Sequence, residues 1–82
     1  LELGGKDPLI VLPGSDLDAA SEAALRASVQ ATGQACQSIE RVYVARADFP
    51  AFIEKLLAKA QAQDLNWPDI RQGSIGPLIF DR

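Results

Sequence analysis

Leu9-Ile10-Val11-Leu12-Pro13-Gly14 is the stretch from which the fold is read. Four aliphatic residues in a row describe a strand covered on both faces, as in a parallel sheet, and Pro13-Gly14 closes it. Ser15 or Asp16 then supplies a helix cap, and Ser15-x-x-Asp18 is a loose capping box. Leu17, Ala20, Ala24, Ala27 or Ser28 and Ala31 recur at helical spacing, opposite a polar row of Asp18, Glu22 and Arg26. Glu22 and Arg26 have the favourable i,i+4 order. The buried stripe is mostly alanine, so this helix is expected to lie close to its neighbours. Gly33 is its natural stop, in the left-handed position after the last turn.

Arg41 to Ala45 is short and β-branched and reads as a second strand. Strand, helix and strand in this order imply a right-handed parallel crossover. Asp48 is placed to cap a second helix, with Pro50 tolerated in its first turn. Phe49, Phe52, Ile53, Leu56, Leu57 and Ala60 form its expected buried face, with Glu54, Lys55 and Lys59 outside. Asn66-Trp67-Pro68 breaks this helix, and Trp67 is expected to pack. Asp69 to Gly76 reads as loop, and Leu78-Ile79-Phe80 as a short extended segment. The fold class is α/β, a parallel βαβα arrangement.

Eighty-two residues make one small domain at most, and a chain of this size buries only roughly 60% of its unfolded surface. The net charge of −3 is spread without blocks, and the basic residues are scattered among few aromatics, which argues against a nucleic-acid surface. Leu9 to Leu12 is the longest aliphatic run and is far short of a membrane span. One cysteine excludes an internal disulfide and agrees with a reducing, cytoplasmic compartment. One cysteine without histidine also cannot build a zinc site, so no metal is expected. Gly5-Lys6 lacks the Ser/Thr and the upstream glycine of a phosphate-binding loop.

The strong nucleophile that remains is Cys36, in Gly33-Gln34-Ala35-Cys36. A thiol needs a base to react near neutral pH, and in a chain with no histidine the candidates are carboxylates. Glu2 stands out, in Leu1-Glu2-Leu3-Gly4-Gly5-Lys6-Asp7-Pro8, because two glycines after an acid suggest a backbone turned tightly enough to aim its side chain. Cys36 itself falls just past a helix C-terminus, where the negative end of the dipole disfavours a thiolate. Either the loop turns Cys36 away from those carbonyls, or Glu2 and a bound group assist.

Glu2-Leu3-Gly4-Gly5-Lys6 and Gly33-Gln34-Ala35-Cys36, in this order and at this separation, resemble the two signature motifs of the aldehyde dehydrogenase superfamily. Asp16-Leu17-Asp18-Ala19-Ala20, Arg41-Val42-Tyr43-Val44 and Gly76-Pro77-Leu78-Ile79 extend the likeness over most of the chain. It is weakest across Asp64 to Ser74, and Ala31 stands where many members carry asparagine. Members are several times longer. The resemblance therefore makes residues 1–82 part of a catalytic domain, incomplete as a domain, with the cofactor-binding domain outside it.

The resemblance implies a general base at Glu2 and a nucleophile at Cys36, which would attack an aldehyde to give a thiohemiacetal. Its oxyanion would be held by the Cys36 backbone N–H and a side chain elsewhere. Hydride transfer to NAD or NADP, bound mainly by residues outside this chain, would leave a thioester for Glu2-assisted hydrolysis. Leu3 is implied to contact the nicotinamide through its backbone. Gly4, Gly5, Gly33 and Gln34 would shape the two loops. The partner is then a small-molecule aldehyde, with no nucleic acid or membrane, and the full-length protein is expected to be a homo-oligomer. Two alternatives stay open: a relative that passes the acyl group to coenzyme A, and a non-catalytic member keeping the fold. Under the first reading, Glu2 and Cys36 must open onto one cavity.

Overall fold

The computed structural model describes residues 1–80. Its elements are β1 (Asp7–Val11), α1 (Leu17–Val29), a 3-10 segment (Gln30–Gly33), β2 (Ile39–Val44) and α2 (Phe49–Gln61). β1 and β2 pair in parallel, Leu9 opposite Val42 and Val11 opposite Val44, with an irregularity between Asp7 and Pro8. The α/β class and the parallel pairing agree with the sequence. The strands do not start and stop quite where expected: β1 takes in Asp7 and Pro8 and releases Leu12, which is 65% exposed.

Alternation along β1 puts Leu9 and Val11 on the face that meets the helices. Ile10 and its partner Tyr43 point the other way and are 66% and 52% exposed. The sheet is thus covered on one face among the described residues, where the aliphatic run suggests two. Val11, Ala24 and Phe52 are the buried centre, packed round by Leu9, Leu17, Ala20, Val42, Val44 and Leu56. Phe52 is 1% exposed and burying it contributes about 1.5–3 kcal/mol.

Asp16, not Ser15, caps α1: its Oδ1 accepts from the N–H of Asp18 at 2.9 Å and of Ala19 at 3.1 Å. Ser21 and Ala24, both fully or nearly fully buried, lie on the side of α1 that meets the core. Ser21 Oγ stays satisfied by donating to the Asp18 carbonyl at 2.9 Å. Glu22 and Arg26, despite their spacing, form no ion pair among the described residues.

The second helix is turned differently from its pattern. Lys59 and Lys55 reach back to α1 and meet Asp18 Oδ1 at 2.7 and 3.7 Å, and the Lys59 side chain is only 22% exposed. Phe49, Ile53 and Leu57 are instead exposed at 52, 40 and 54%, and Ala60 is exposed too. A long lysine stem covers apolar surface while its ammonium finds the carboxylate, which makes the lysine side of α2 a workable face against α1. Asp48 occupies the N-cap position of α2 without a side-chain capping bond. The helix stops at Gln61, ahead of Asn66-Trp67-Pro68.

Trp67 is 83% exposed, so it does not pack as expected. Leu78-Ile79-Phe80 forms no strand; the extended pair in this region is Leu65 with Ile75. The accessible surface is 6420 Å². A compact protein of 8.8 kDa has about 4,800 Å². The Cα radius of gyration is 14.2 Å against about 11.7 Å for a compact chain of this length. Exposed apolar side chains on α2 (Phe49, Ile53, Leu57), on the sheet (Ile10, Tyr43) and in the segments outside them add to the surface excess.

Candidate active site

α1 ends at Val29, and the chain then makes a left-handed run that the sequence assigned to Gly33 alone. Ala31 has φ 51 and Thr32 φ 58, followed by Gly33 at φ 71. For an alanine and a β-branched threonine this conformation is strained, by about 1–2 kcal/mol each. It removes Ala31 from the buried stripe of α1 and leaves it exposed. It also carries the following segment off the helix end, so that Cys36 does not stand on the last turn of α1.

Cys36 and Gln37 occupy the tip of a tight turn. Ser38 N–H donates to the Ala35 carbonyl at 3.0 Å, and the Ala35 N–H donates to Ser38 Oγ at 3.3 Å. Ser38 is 3% exposed and anchors the turn, whereas Cys36 is exposed at its tip. Cys36 Sγ–H donates to Gln37 Oε1 at 3.1 Å. The chain beyond α2 braces the loop from the other side. Thr32 Oγ1 donates to the carbonyls of Gly76 and Pro77 at 3.3 and 3.4 Å, and Ile79 N–H donates to Gln34 Oε1 at 3.1 Å.

The segment before β1 lies directly against this turn. A Cβ placed on Gly5 would fall 1.9 Å from the Cys36 carbonyl oxygen and 3.0 Å from its carbon. No side chain fits there, so glycine is what allows the two backbones to touch. Glu2 is held by its own turn, Oε1 accepting from the Gly4 N–H at 2.6 Å. Lys6 Nζ pairs with Glu40 Oε2 at 2.5 Å, and its carbonyl accepts from Arg41 Nε and Nη2 at 3.0 and 2.7 Å.

Glu2 and Cys36 consequently open onto one shallow cleft of about 620 Å³, lined by Gly4, Gly5, Gly33, Ala35, Gln37 and Glu40 among others. Leu3 is 85% exposed and outside this lining. Glu40 and Gln37 were not singled out in the sequence. Glu40 reads there as one polar residue beside a strand, and nothing local marks Gln37 except its place after the cysteine. Among the described residues, no three His, Cys, Asp or Glu side chains converge as metal ligands would.

Comparison with known proteins identifies the family. The model of the aldehyde dehydrogenase family matches residues 1–82. The chain belongs to the aldehyde dehydrogenase family. Within the family it is similar to 2-hydroxymuconic semialdehyde dehydrogenase of Pseudomonas putida, 44% identical over 96% of this chain and 16% of that protein. It is also similar to succinate-semialdehyde dehydrogenase (NADP+) 1 of Mycobacterium ulcerans (strain Agy99), 42% identical over 100% of this chain and 18% of that one. The chain thus spans less than a fifth of the curated relatives it matches. Among solved structures, PutA of Anabaena variabilis superposes with a TM-score of 0.93 at 49% identity, over 98% of this chain and 17% of PutA. 3,6-Anhydro-L-galactose dehydrogenase, solved in complex with NAP, gives 0.74 at 39% identity over 78% of this chain and 13% of that structure. This aldehyde dehydrogenase segment therefore carries the family's fold in the piece that brings Glu2 beside the Cys36 turn.

Proposed function

We propose that residues 1–82 are part of the catalytic domain of an NAD(P)-dependent dehydrogenase that oxidises a small aldehyde to a carboxylic acid. The observation that carries the reading is the shared cleft of Glu2 and Cys36, held together where Gly5 abuts the Cys36 backbone. Cys36 Sγ adds to the aldehyde carbonyl, forming a thiohemiacetal whose oxyanion is met by the Cys36 N–H and a side chain elsewhere in the protein. A nicotinamide dinucleotide, when bound, supplies the hydride acceptor. Glu2 takes a proton from the water that attacks the Cys36 thioester, which frees the acid and the thiol. An open cleft leaves room for that water, and a base set at its rim favours hydrolysis over transfer to coenzyme A.

Gly4, Gly5, Gly33 and Ala35 line the cleft with little side-chain bulk, a surface suited to a flat ring. The chain holds no dinucleotide fingerprint, so the rest of the cofactor is bound elsewhere in the protein. Leu3, adjacent to the base, contributes its backbone to the nicotinamide end. Relatives named for NADP+ and a neighbour solved with NAP support a nicotinamide cofactor without choosing between NAD and NADP. The two named semialdehyde dehydrogenases support a small aldehyde as substrate. No helix among the described residues is long and apolar enough to cross a membrane. The proposed setting is the cytoplasm, as a homo-oligomer.

The test is made on the intact protein with a panel of small aldehydes and NAD or NADP. Cys36→Ala removes acyl-enzyme formation and turnover. Glu2→Gln leaves a burst of reduced cofactor equal to the enzyme present, then slows turnover by roughly 10²–10⁴-fold. Full steady-state activity in either variant sinks the assignment.

A further inference from the structure

We infer that Gln37 is a positioning residue for the Cys36 thiol, its amide accepting the Sγ–H proton at rest and donating to the sulfur once it is ionised. The inference rests on Cys36 being the nucleophile. Its first support is the contact itself: Sγ and Gln37 Oε1 are 3.1 Å apart, on adjacent residues of one turn whose backbone is closed by buried Ser38. The second is the charge of the cleft. Its ionisable side chains besides Cys36 are Glu2 and Glu40, and Glu40 takes up the ammonium of Lys6. No cation is left to face a thiolate there among the described residues.

A neutral donor is then the available stabiliser. The cleft offers two such side chains: Gln34, whose oxygen accepts from the Ile79 N–H, and Gln37, whose amide already stands on the sulfur. A primary amide carries an acceptor and two donors on one planar group. Half a turn about its last torsion replaces Oε1 by Nε2 at the same place. The thiol proton passes to the water of the open cleft, and no bond to carbon is made or broken. Gln37 is exposed, so changing it disturbs no packing.

The experiment compares wild type, Gln37→Leu and Gln37→Glu in the intact protein, with melting temperature as a folding control. The rate of Cys36 carboxamidomethylation by iodoacetamide, an uncharged probe, is followed at one pH on the Cys36 peptide by mass spectrometry. Leucine removes the donor, and glutamate sets an acceptor-only anion against the sulfur. The expected order is wild type, then leucine, then glutamate. The leucine variant falls about tenfold, the loss of one hydrogen bond to a charged group, and the glutamate variant falls further. Turnover, where present, drops through kcat with KM little changed. Wild-type labelling rates in both variants, or a glutamate variant faster than leucine, overturn the inference. Labelling needs no aldehyde, so the order judges Gln37 even if the protein reduces no cofactor. Normal turnover with equal labelling rates fails Gln37 alone.

Discussion

Replacing Gly5 by alanine tests the geometry that brings Glu2 and Cys36, the proposed base and nucleophile, together. The new methyl would sit 1.9 Å from the Cys36 carbonyl oxygen, whereas real contacts of this kind stay above 3.0 Å. Neither atom belongs to a flexible side chain, so the two backbones must separate by more than about 1 Å. Misplacing reacting groups by that distance costs on the order of 10²-fold in rate, and overpacking costs about 1–3 kcal/mol in stability. Gly14→Ala, outside the cleft, is the matched control. A Cβ there meets nothing within 4 Å, but φ is +83, so the variant loses about 1–2 kcal/mol through local strain without driving the two segments apart. Single-turnover aldehyde oxidation in the intact protein, alongside thermal melts, separates the two effects. Gly5→Ala is expected to lose the chemical step and Gly14→Ala mainly stability. A Gly5→Ala enzyme with wild-type single-turnover rate would refute the close approach as the device that positions Cys36.

Three further outcomes follow from other parts of the fold. Hydrogen bonding to Lys59, then the charges of Lys59 and Lys55, hold the Asp18 carboxyl below its usual range. Its stabilising effect is therefore present above the unfolded carboxylate value of about 3.9 and lost as pH falls through the lower folded value. The melting difference between wild type and Asp18→Asn should accordingly be full near neutral pH, begin to shrink near about pH 4 and vanish only as pH falls through the lower folded value; a constant difference would deny the pair that role. Ala31→Gly relieves a left-handed alanine that is exposed, and a gain of up to about 1 kcal/mol is expected in thermal melts once glycine's own entropy is allowed for. Phe52→Ala empties the centre of the small core and should cost about 3–5 kcal/mol, measured in the same way.

The strands and helices were legible because their signals are local. The aliphatic run of β1, the β-branched β2 and the alanine stripe of α1 each need only their own residues to be read. The rotation of α2 was not legible. Phe49, Ile53 and Leu57 are as apolar as Phe52, and the pattern of α2 alone does not choose which of them meets α1 and which stays exposed. The left-handed Ala31 and Thr32 were hidden for a related reason. Neither residue favours that conformation, and what accompanies it is a bond from Thr32 to carbonyls near the far end of the chain. At the site, Glu2 and Cys36 were found by elimination and by resemblance, and the structure places both on one cleft. Gln37 went unnoticed because a glutamine after a cysteine is common polar surface until its amide is seen on the sulfur.

The brace between the Cys36 loop and residues 76–79 has a consequence for the order in which the protein is made. Gln34 waits for Ile79, and Thr32 for Gly76 and Pro77, partners separated by 44 or 45 residues. At roughly 5–20 residues per second, a ribosome takes about 2–9 s to deliver them. During that interval β1, α1 and β2 can already pair and pack, since all their contacts lie earlier in the chain. The loop that carries Cys36 is thus the last part of this segment to be braced, after β1, α1 and β2 have all left the ribosome.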